Sequence, residues 1–278
     1  MTEALVLGGG GVAGIAWMTG LLAGLADAGQ DVTGADLLVG TSAGANVAAQ
    51  LGSGLSLDEL YARQVDPARQ VAEISSDVDL ETFGAELASL LGRVSSIPEM
   101  RRAVGRYALE TATVPEAARR AVVAARLPSH DWPARVLKIV AVDAETGEVR
   151  VFDRASGVSL VDAVGASSAV PGVWPPVTIG DRRYVDGGVR SNDNADFAAG
   201  ASRVLVVAPL GSTALLPTDK GLQEAVAELR AAGAEVAVIE PDEASRLAIG
   251  PSPLDPATRQ PAAEAGRAQG RDQKLGWA

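Results

Sequence analysis

The chain has 278 residues, 47% of them hydrophobic, enough for a sizeable core and too many for a disordered chain. Its 35 acidic against 24 basic residues give a formal net charge of −11, which makes nucleic acid an unsuitable partner and requires any membrane contact to be local, apolar and transient. The absence of Cys and the single His exclude disulfides, thiol nucleophiles and His-rich metal sites, and fit a reducing, cytoplasmic setting.

Ala4 to Ala26 carries no charge, a length that could cross a bilayer. Gly8 to Gly11 would break a helix there, however, and no Lys or Arg precedes Arg63, so the flanks suit neither an anchor nor a signal peptide. The segment is expected as strand Ala4 to Leu7, a glycine turn, and a buried helix Ile15 to Ala28 closed by Gly29. A short buried strand, Asp36 to Val39, then runs through Gly40-Thr41-Ser42-Ala43-Gly44 into an Ala/Leu-rich helix ending near Leu51.

Leu57 to about Leu127 reads as mostly helical, with Arg101, Arg102, Arg119 and Arg120 on solvated faces and no recognisable chemistry. Arg135 to Val142 and Glu148 to Phe152 form a hairpin around Glu145-Thr146-Gly147; Val177 to Ile179 and Arg183 to Val185 form another around Gly180-Asp181. Arg203 to Ala208 and Glu235 to Ile239 flank a helix near Asp219 to Ala232, as in a βαβ unit. A short helix follows Pro241, then a Pro-rich bend from Gly250 to Pro256 and a polar helical tail. The alternation predicts a layered α/β fold in one domain over 1–278, with a core of about 4–210 extended by the last βα unit and tail.

Three motifs carry the candidate chemistry. Gly9, Gly11 and Gly14 match GxGxxG between a strand and a helix. Such a loop serves dinucleotide binding, an oxyanion hole of backbone N–H groups, or merely a tight turn. A dinucleotide site also expects an acid after the second strand, whereas Asp36 precedes it. Gly40 to Gly44 matches GxSxG in a strand-turn-helix setting, where Ser42 is either an exposed nucleophile or a helix cap. A nucleophilic serine needs a base. His130 lies in a proline-bounded loop that favours a surface role, whereas Asp186-Gly187-Gly188 follows a strand and its glycines allow close backbone approach.

The glycine loop, the Gly-x-Ser-x-Gly elbow and Asp-Gly-Gly, in this order, resemble the patatin-like phospholipase family, as does Ala166 to Val177 ahead of the aspartate. That segment is expected to support the site as a helix end and proline-rich turn. The resemblance implies a three-layer α/β/α fold with a mostly parallel central sheet, and a Ser-Asp dyad hydrolysing lipid or lipid-like esters without cofactor or metal. It implies that Ser42 attacks the ester and Asp186 takes its proton. Gly9, Gly10, Gly11 and Val12 would hold the oxyanion, and Gly14, Gly40, Gly44, Gly187 and Gly188 would support the motifs. Many family members carry Arg or Lys where this chain has Ala13, so ester hydrolysis is expected more firmly than a phospholipid substrate, and the site is expected to lack a nearby cation. Leu87, Leu90, Leu91 and Phe83 could line an acyl pocket, but their helical spacing favours core. The competing expectations are a nucleotide- or cofactor-binding protein using the glycine loop, and a non-catalytic lipid-binding member.

Overall fold

A computed structural model describes residues 1–74, 80–212, 216–218 and 220–277, with the side chains of 80–83 left out. Among the described residues, eight strands form one sheet. They are β1 (Glu3–Leu7), β2 (Leu37–Gly40), β3 (Val136–Asp143), β4 (Val149–Phe152), β5 (Val177–Ile179), β6 (Arg182–Asp186), β7 (Arg203–Val207) and β8 (Glu235–Ile239). The order is β5-β6-β3-β2-β1-β7-β8, with β4 also paired to β3. The run β3-β2-β1-β7-β8 is parallel throughout, whereas β4, β5 and β6 pair antiparallel, as the two expected hairpins require.

Alternation along the strands splits the core between the two faces of the sheet. Leu5, Leu7, Leu38, Leu137, Ile139, Leu205 and Val207 pack under α1 (Gly11–Asp27), α2 (Ala43–Leu51) and α7 (Leu160–Ser167). Val6, Val39, Val140, Val204 and Val206 point the other way, onto α8 (Leu222–Ala231). Helices on both faces of a mostly parallel sheet make the expected three layers. The helical block resolves into α3 (Leu57–Val65), α4 (Leu80–Leu91), α5 (Ile97–Glu110) and α6 (Glu116–Arg126).

The uncharged N-terminal run is core: α1 is buried from Val12 to Leu25. No helix among the described residues is long and apolar enough to cross a membrane. α1 starts at Gly11, four residues earlier than expected. The chain enters the helix directly from the glycine loop, because the 253–254 segment packs against Gly11 and the Pro253 carbonyl accepts from Ala13 N–H at 2.9 Å. Tertiary contact here outweighs the low helix propensity of glycine. After α9 (Glu243–Ile249), the polar tail forms α10 (Arg259–Asp272) and lies on α1 through Gly20, Gly24, Gly266 and Gly270. Any β-carbon at those four positions would overlap a backbone carbonyl of the facing helix.

Candidate active site

The register brings the motifs together. Leu7 pairs with Gly40, so the loops after β1 and β2 leave the sheet at the same level, as the successive parallel strands anticipated. Asp186 ends β6 opposite Ala141, two residues beyond the partner of Gly40 on β3. All three motifs therefore open at one edge of the sheet.

Ser42 occupies a sharp strand-to-helix elbow with φ 54° and ψ −114°, a conformation that costs a non-glycine residue about 1–3 kcal/mol. The elbow closes because Gly40 and Gly44 lack side chains. A β-carbon on Gly40 would sit 2.6 Å from Ala45 Cα, and one on Gly44 would overlap the Leu7 carbonyl. Ser42 N–H donates to Ser167 Oγ at 2.9 Å, and that hydroxyl donates to the Val140 carbonyl at 2.6 Å. The Ser42 side chain makes no cap hydrogen bond, so helix capping does not explain it.

Asp186 is 5% exposed. Its Oδ1 accepts from Gly188 N–H at 2.7 Å, while Oδ2 has no hydrogen-bond partner. Burial pushes its pKa up to about 7, against the downward pull of Gly188 N–H, the Ser42 hydroxyl and the Arg119 cation. The Ser42 hydroxyl lies close enough to favour the carboxylate without completing a hydrogen bond of normal geometry. Gly187 packs so tightly on the Val140 carbonyl and Thr41 that a side chain would not fit.

The glycine loop runs beside the elbow, with a β-carbon position at Gly9 3.7 Å from Ser42 Cβ. Its donors are fewer than expected. Gly9 N–H donates to the Asn192 carbonyl at 2.8 Å and is spent on structure. Ala13 and Gly14 donate to Pro253 and Gly10, and Gly14 packs near Pro209 and Ala43. Gly10, Gly11 and Val12 have N–H groups with no backbone partner among the described residues, at the N-terminus of α1, where the helix dipole favours negative charge. Asp36 accepts from Glu3 N–H at 2.9 Å at the opposite end of the sheet, and β2 runs into Gly40-Thr41-Ser42 at this edge, so no acid stands directly after the second strand where a dinucleotide ribose would need one.

Ser42, Asp186 and the loop border a cavity of about 300 Å³ lined mainly by apolar groups, including Leu87, Val104, Tyr107, Val173, Leu210 and Leu254. Leu87 thus belongs to the cavity wall rather than only to core. Leu90 and Leu91 are half-buried against the core cluster that contains Met100, Val104 and Val185, and the Phe83 side chain lies outside the described residues.

The sequence profile described as patatin-like phospholipase matches residues 5–199. The chain belongs to the patatin-like phospholipase family. No curated protein sequence matches it. Among solved structures it is similar to VipD from Legionella pneumophila, with 12% identity, TM-score 0.45, and coverage of 98% of this chain and 67% of that one. It is also similar to the type III effector ExoU, with 16% identity, TM-score 0.40 and coverage of 98% and 54%. A third similar structure is full-length ExoU with full-length SpcU from the type III secretion system of Pseudomonas aeruginosa, at 20% identity, TM-score 0.36 and coverage of 98% and 53%. The chain thus spans about half the length of the ExoU chains.

Within this patatin-like site, one expectation is overturned. Arg119 is 6% exposed, not solvated, and its guanidinium lies 4.0 Å from the Trp174 ring centroid in a small lobe that Ser42 also lines. Burial and the neighbouring Arg126 pull its pKa down to about 9. The site has a cation, and the helical block supplies it. Arg101 is buried as well, while Arg102 and Arg120 are exposed as expected. On α6 the buried residues are Arg119, Val123 and Arg126, an i, i+4, i+7 stripe that marks the two arginines as inward-facing.

One positioning residue belongs to none of the sequence motifs. Asn194, fully buried and left-handed at φ 51°, donates to Thr41 Oγ1, the Gly187 carbonyl and the Ser191 carbonyl, tying the loop after Asp186 to the elbow. Its αL conformation is one that Asn tolerates, the only local signal it carries. The Ala166 to Val177 segment supports the site as expected: Ser167 holds the elbow, and the Ala169 carbonyl accepts from Asp186 N–H at 3.0 Å. His130 is exposed, with Nε2 against the Ala124 carbonyl at 2.9 Å, outside the site.

Proposed function

We propose that the protein is a serine acyl-hydrolase that cleaves carboxylic esters of lipids or lipid-like molecules through Ser42 and Asp186. The observation carrying this reading is a serine on a strained elbow, beside a buried carboxyl with one unpartnered oxygen, at the wall of an apolar cavity. Ser42 Oγ attacks the ester carbonyl while Asp186 Oδ2 takes its proton. The Gly10, Gly11 and Val12 N–H groups meet the oxyanion; one such donor is worth about 3 kcal/mol in serine hydrolases. Collapse expels the alcohol with the proton from Asp186. Water then attacks the acyl-enzyme, gives its proton to Asp186 and releases the acid, and Ser42 recovers the proton. The mostly apolar wall suits an acyl chain better than a nucleotide.

The test is hydrolysis of p-nitrophenyl butyrate by folded Ser42→Ala and Asp186→Asn, together with fluorophosphonate labelling mapped by peptide. Loss of turnover in both and labelling at Ser42 are expected. Full activity in either variant sinks the dyad, and tight nucleotide binding without labelling would favour a cofactor-binding protein.

A further inference from the structure

The lobe beside Ser42 has a charge balance that the ester chemistry does not use. Arg119, Arg126 and Arg259 surround one carboxylate, Glu73, and all four side chains are at least nine-tenths buried. Arg126 takes both Glu73 oxygens, at 2.9 and 2.5 Å, and Arg259 takes Oε1 at 2.6 Å. Arg119 is left with a 3.9 Å approach to Oε2, and its Nη1 makes no hydrogen bond. Among the described residues, three guanidinium groups against one carboxylate leave an excess of positive charge in a buried cluster, a costly arrangement unless further negative charge is at hand. Asp186 supplies some at neutral pH and above, but its free oxygen belongs to the reaction.

The Trp174 ring fixes the Arg119 guanidinium toward the lobe, whose walls include Ser42, Gly11, Val12 and Leu254. Gly11, Ser42 and Leu254 also line the apolar cavity. Ser42 therefore stands between an apolar compartment of about 300 Å³ and a cationic one of about 20 Å³. The smaller holds one water-sized group, so it admits a single oxygen and not a whole headgroup.

The geometry points to Arg119 as a specificity residue that receives one anionic oxygen of the substrate, from a phosphate or carboxylate borne close to the scissile ester. This rests on the acyl-hydrolase reading. An ester with its acyl chain in the apolar compartment and its anionic group a few atoms beyond the ester oxygen satisfies both sides at once. Guanidinium pairs with either anion through charge-assisted hydrogen bonds.

The test compares kcat/KM for three octanoyl esters, of glycerol, of glycerol 3-phosphate and of glycolate, in wild type, Arg119→Gln and Arg119→Lys. Wild type is expected to prefer at least one anionic ester over the neutral one, and the arm that leads identifies phosphate or carboxylate. In Arg119→Gln that preference falls by about tenfold or more, and Arg119→Lys keeps part of it. The ratio cancels any common effect on Ser42 and Asp186. A wild type without preference, or a preference unchanged in folded Arg119→Gln, overturns the proposal, and is the outcome expected if the lobe holds only a water between Arg119 Nη1 and Asn46, which also lines it and whose Oδ1 has no hydrogen-bond partner. If both Arg119 variants fail to fold, wild type carries the test through inhibition of neutral octanoyl-glycerol hydrolysis by inorganic phosphate and by acetate at constant ionic strength. Competitive inhibition by either supports the site, and none by both overturns it. Hydrolysis of none of the three esters would fail the acyl-hydrolase reading as well, whereas equal hydrolysis of all three fails the anion site alone.

Discussion

Asp186 makes the pH profile of ester hydrolysis a quantitative test. A carboxyl at the ordinary 3.8 would be ionised at every pH where the protein is assayed, and the rate would be flat. Burial instead lifts this one to about 7, a gap worth about 4 kcal/mol between its charged and neutral forms at 1.36 kcal/mol per pH unit. In the proposed mechanism only the carboxylate can accept the Ser42 proton, so kcat/KM should rise with pH to a plateau above about 7. It should fall to about a tenth of that plateau at pH 6 and a hundredth at pH 5. Arg119 pulls the carboxyl downward, so Arg119→Gln should move the midpoint to higher pH. The assay is p-nitrophenyl butyrate hydrolysis from pH 5 to 9 at constant ionic strength, followed at the isosbestic wavelength with spontaneous hydrolysis subtracted. A flat profile between pH 5 and 8, a midpoint near 4, or a downward shift in Arg119→Gln would refute the reasoning.

Leu87→Trp adds bulk to the wall of the apolar cavity; excluding two methylenes at about 0.8 kcal/mol each should lower kcat/KM for a decanoyl ester about tenfold relative to butanoyl, and equal losses on both would place Leu87 outside the acyl path. Gly24→Ala puts a methyl onto the Arg267 carbonyl of α10 and should cost about 1–3 kcal/mol, read as a lower melting temperature; an unchanged one would show that the two helices part without penalty. Asp193 is 3% exposed beside Gly8, and burial and Glu240 push its pKa up to about 7. Because the folded chain then holds this proton more tightly than the unfolded one, stability falls as pH rises from about 4 to about 7. Asp193→Asn should therefore stabilise by up to about 4 kcal/mol at pH 8 and by little at pH 4, and denaturation curves that differ equally at both would refute this.

What the sequence made legible was whatever the backbone imposes locally. Gly40, Gly44 and Gly187 each stand within two residues of Ser42 or Asp186, so the motifs show in the sequence, although Gly44 packs on the Leu7 carbonyl and Gly187 on that of Val140, both remote in the chain. The alternation of strand-like and helix-like runs likewise announced the layered α/β fold. The groups around the apolar cavity and the Arg119 lobe were not legible in this way. Pro253 reaches Ala13 across most of the chain, and Ser167 reaches Ser42 from 125 residues further along it, through hydrogen bonds that leave no periodic trace. Arg119 did leave one, the stripe with Val123 and Arg126, but a charged residue on an inward stripe is expected at the surface unless its buried partner Glu73 is known.

That division has a physical consequence. Ser42, Asp186 and the N–H groups of Gly10 and Gly11 are fixed by strand ends and by glycines that admit no substitution without overlap, so the geometry of the proposed attack has little freedom to vary. The walls are set differently: Leu87, Val104 and Tyr107 come from α4 and α5, Arg119 from α6, and Leu254 from the segment before α10, beyond the 5–199 match. Side chains on those elements can change without disturbing the register that aligns Ser42 with Asp186. Substitutions at Leu87 or Arg119 should therefore change which ester is preferred, whereas substitutions at Gly44 or Gly187 should remove hydrolysis of every ester together.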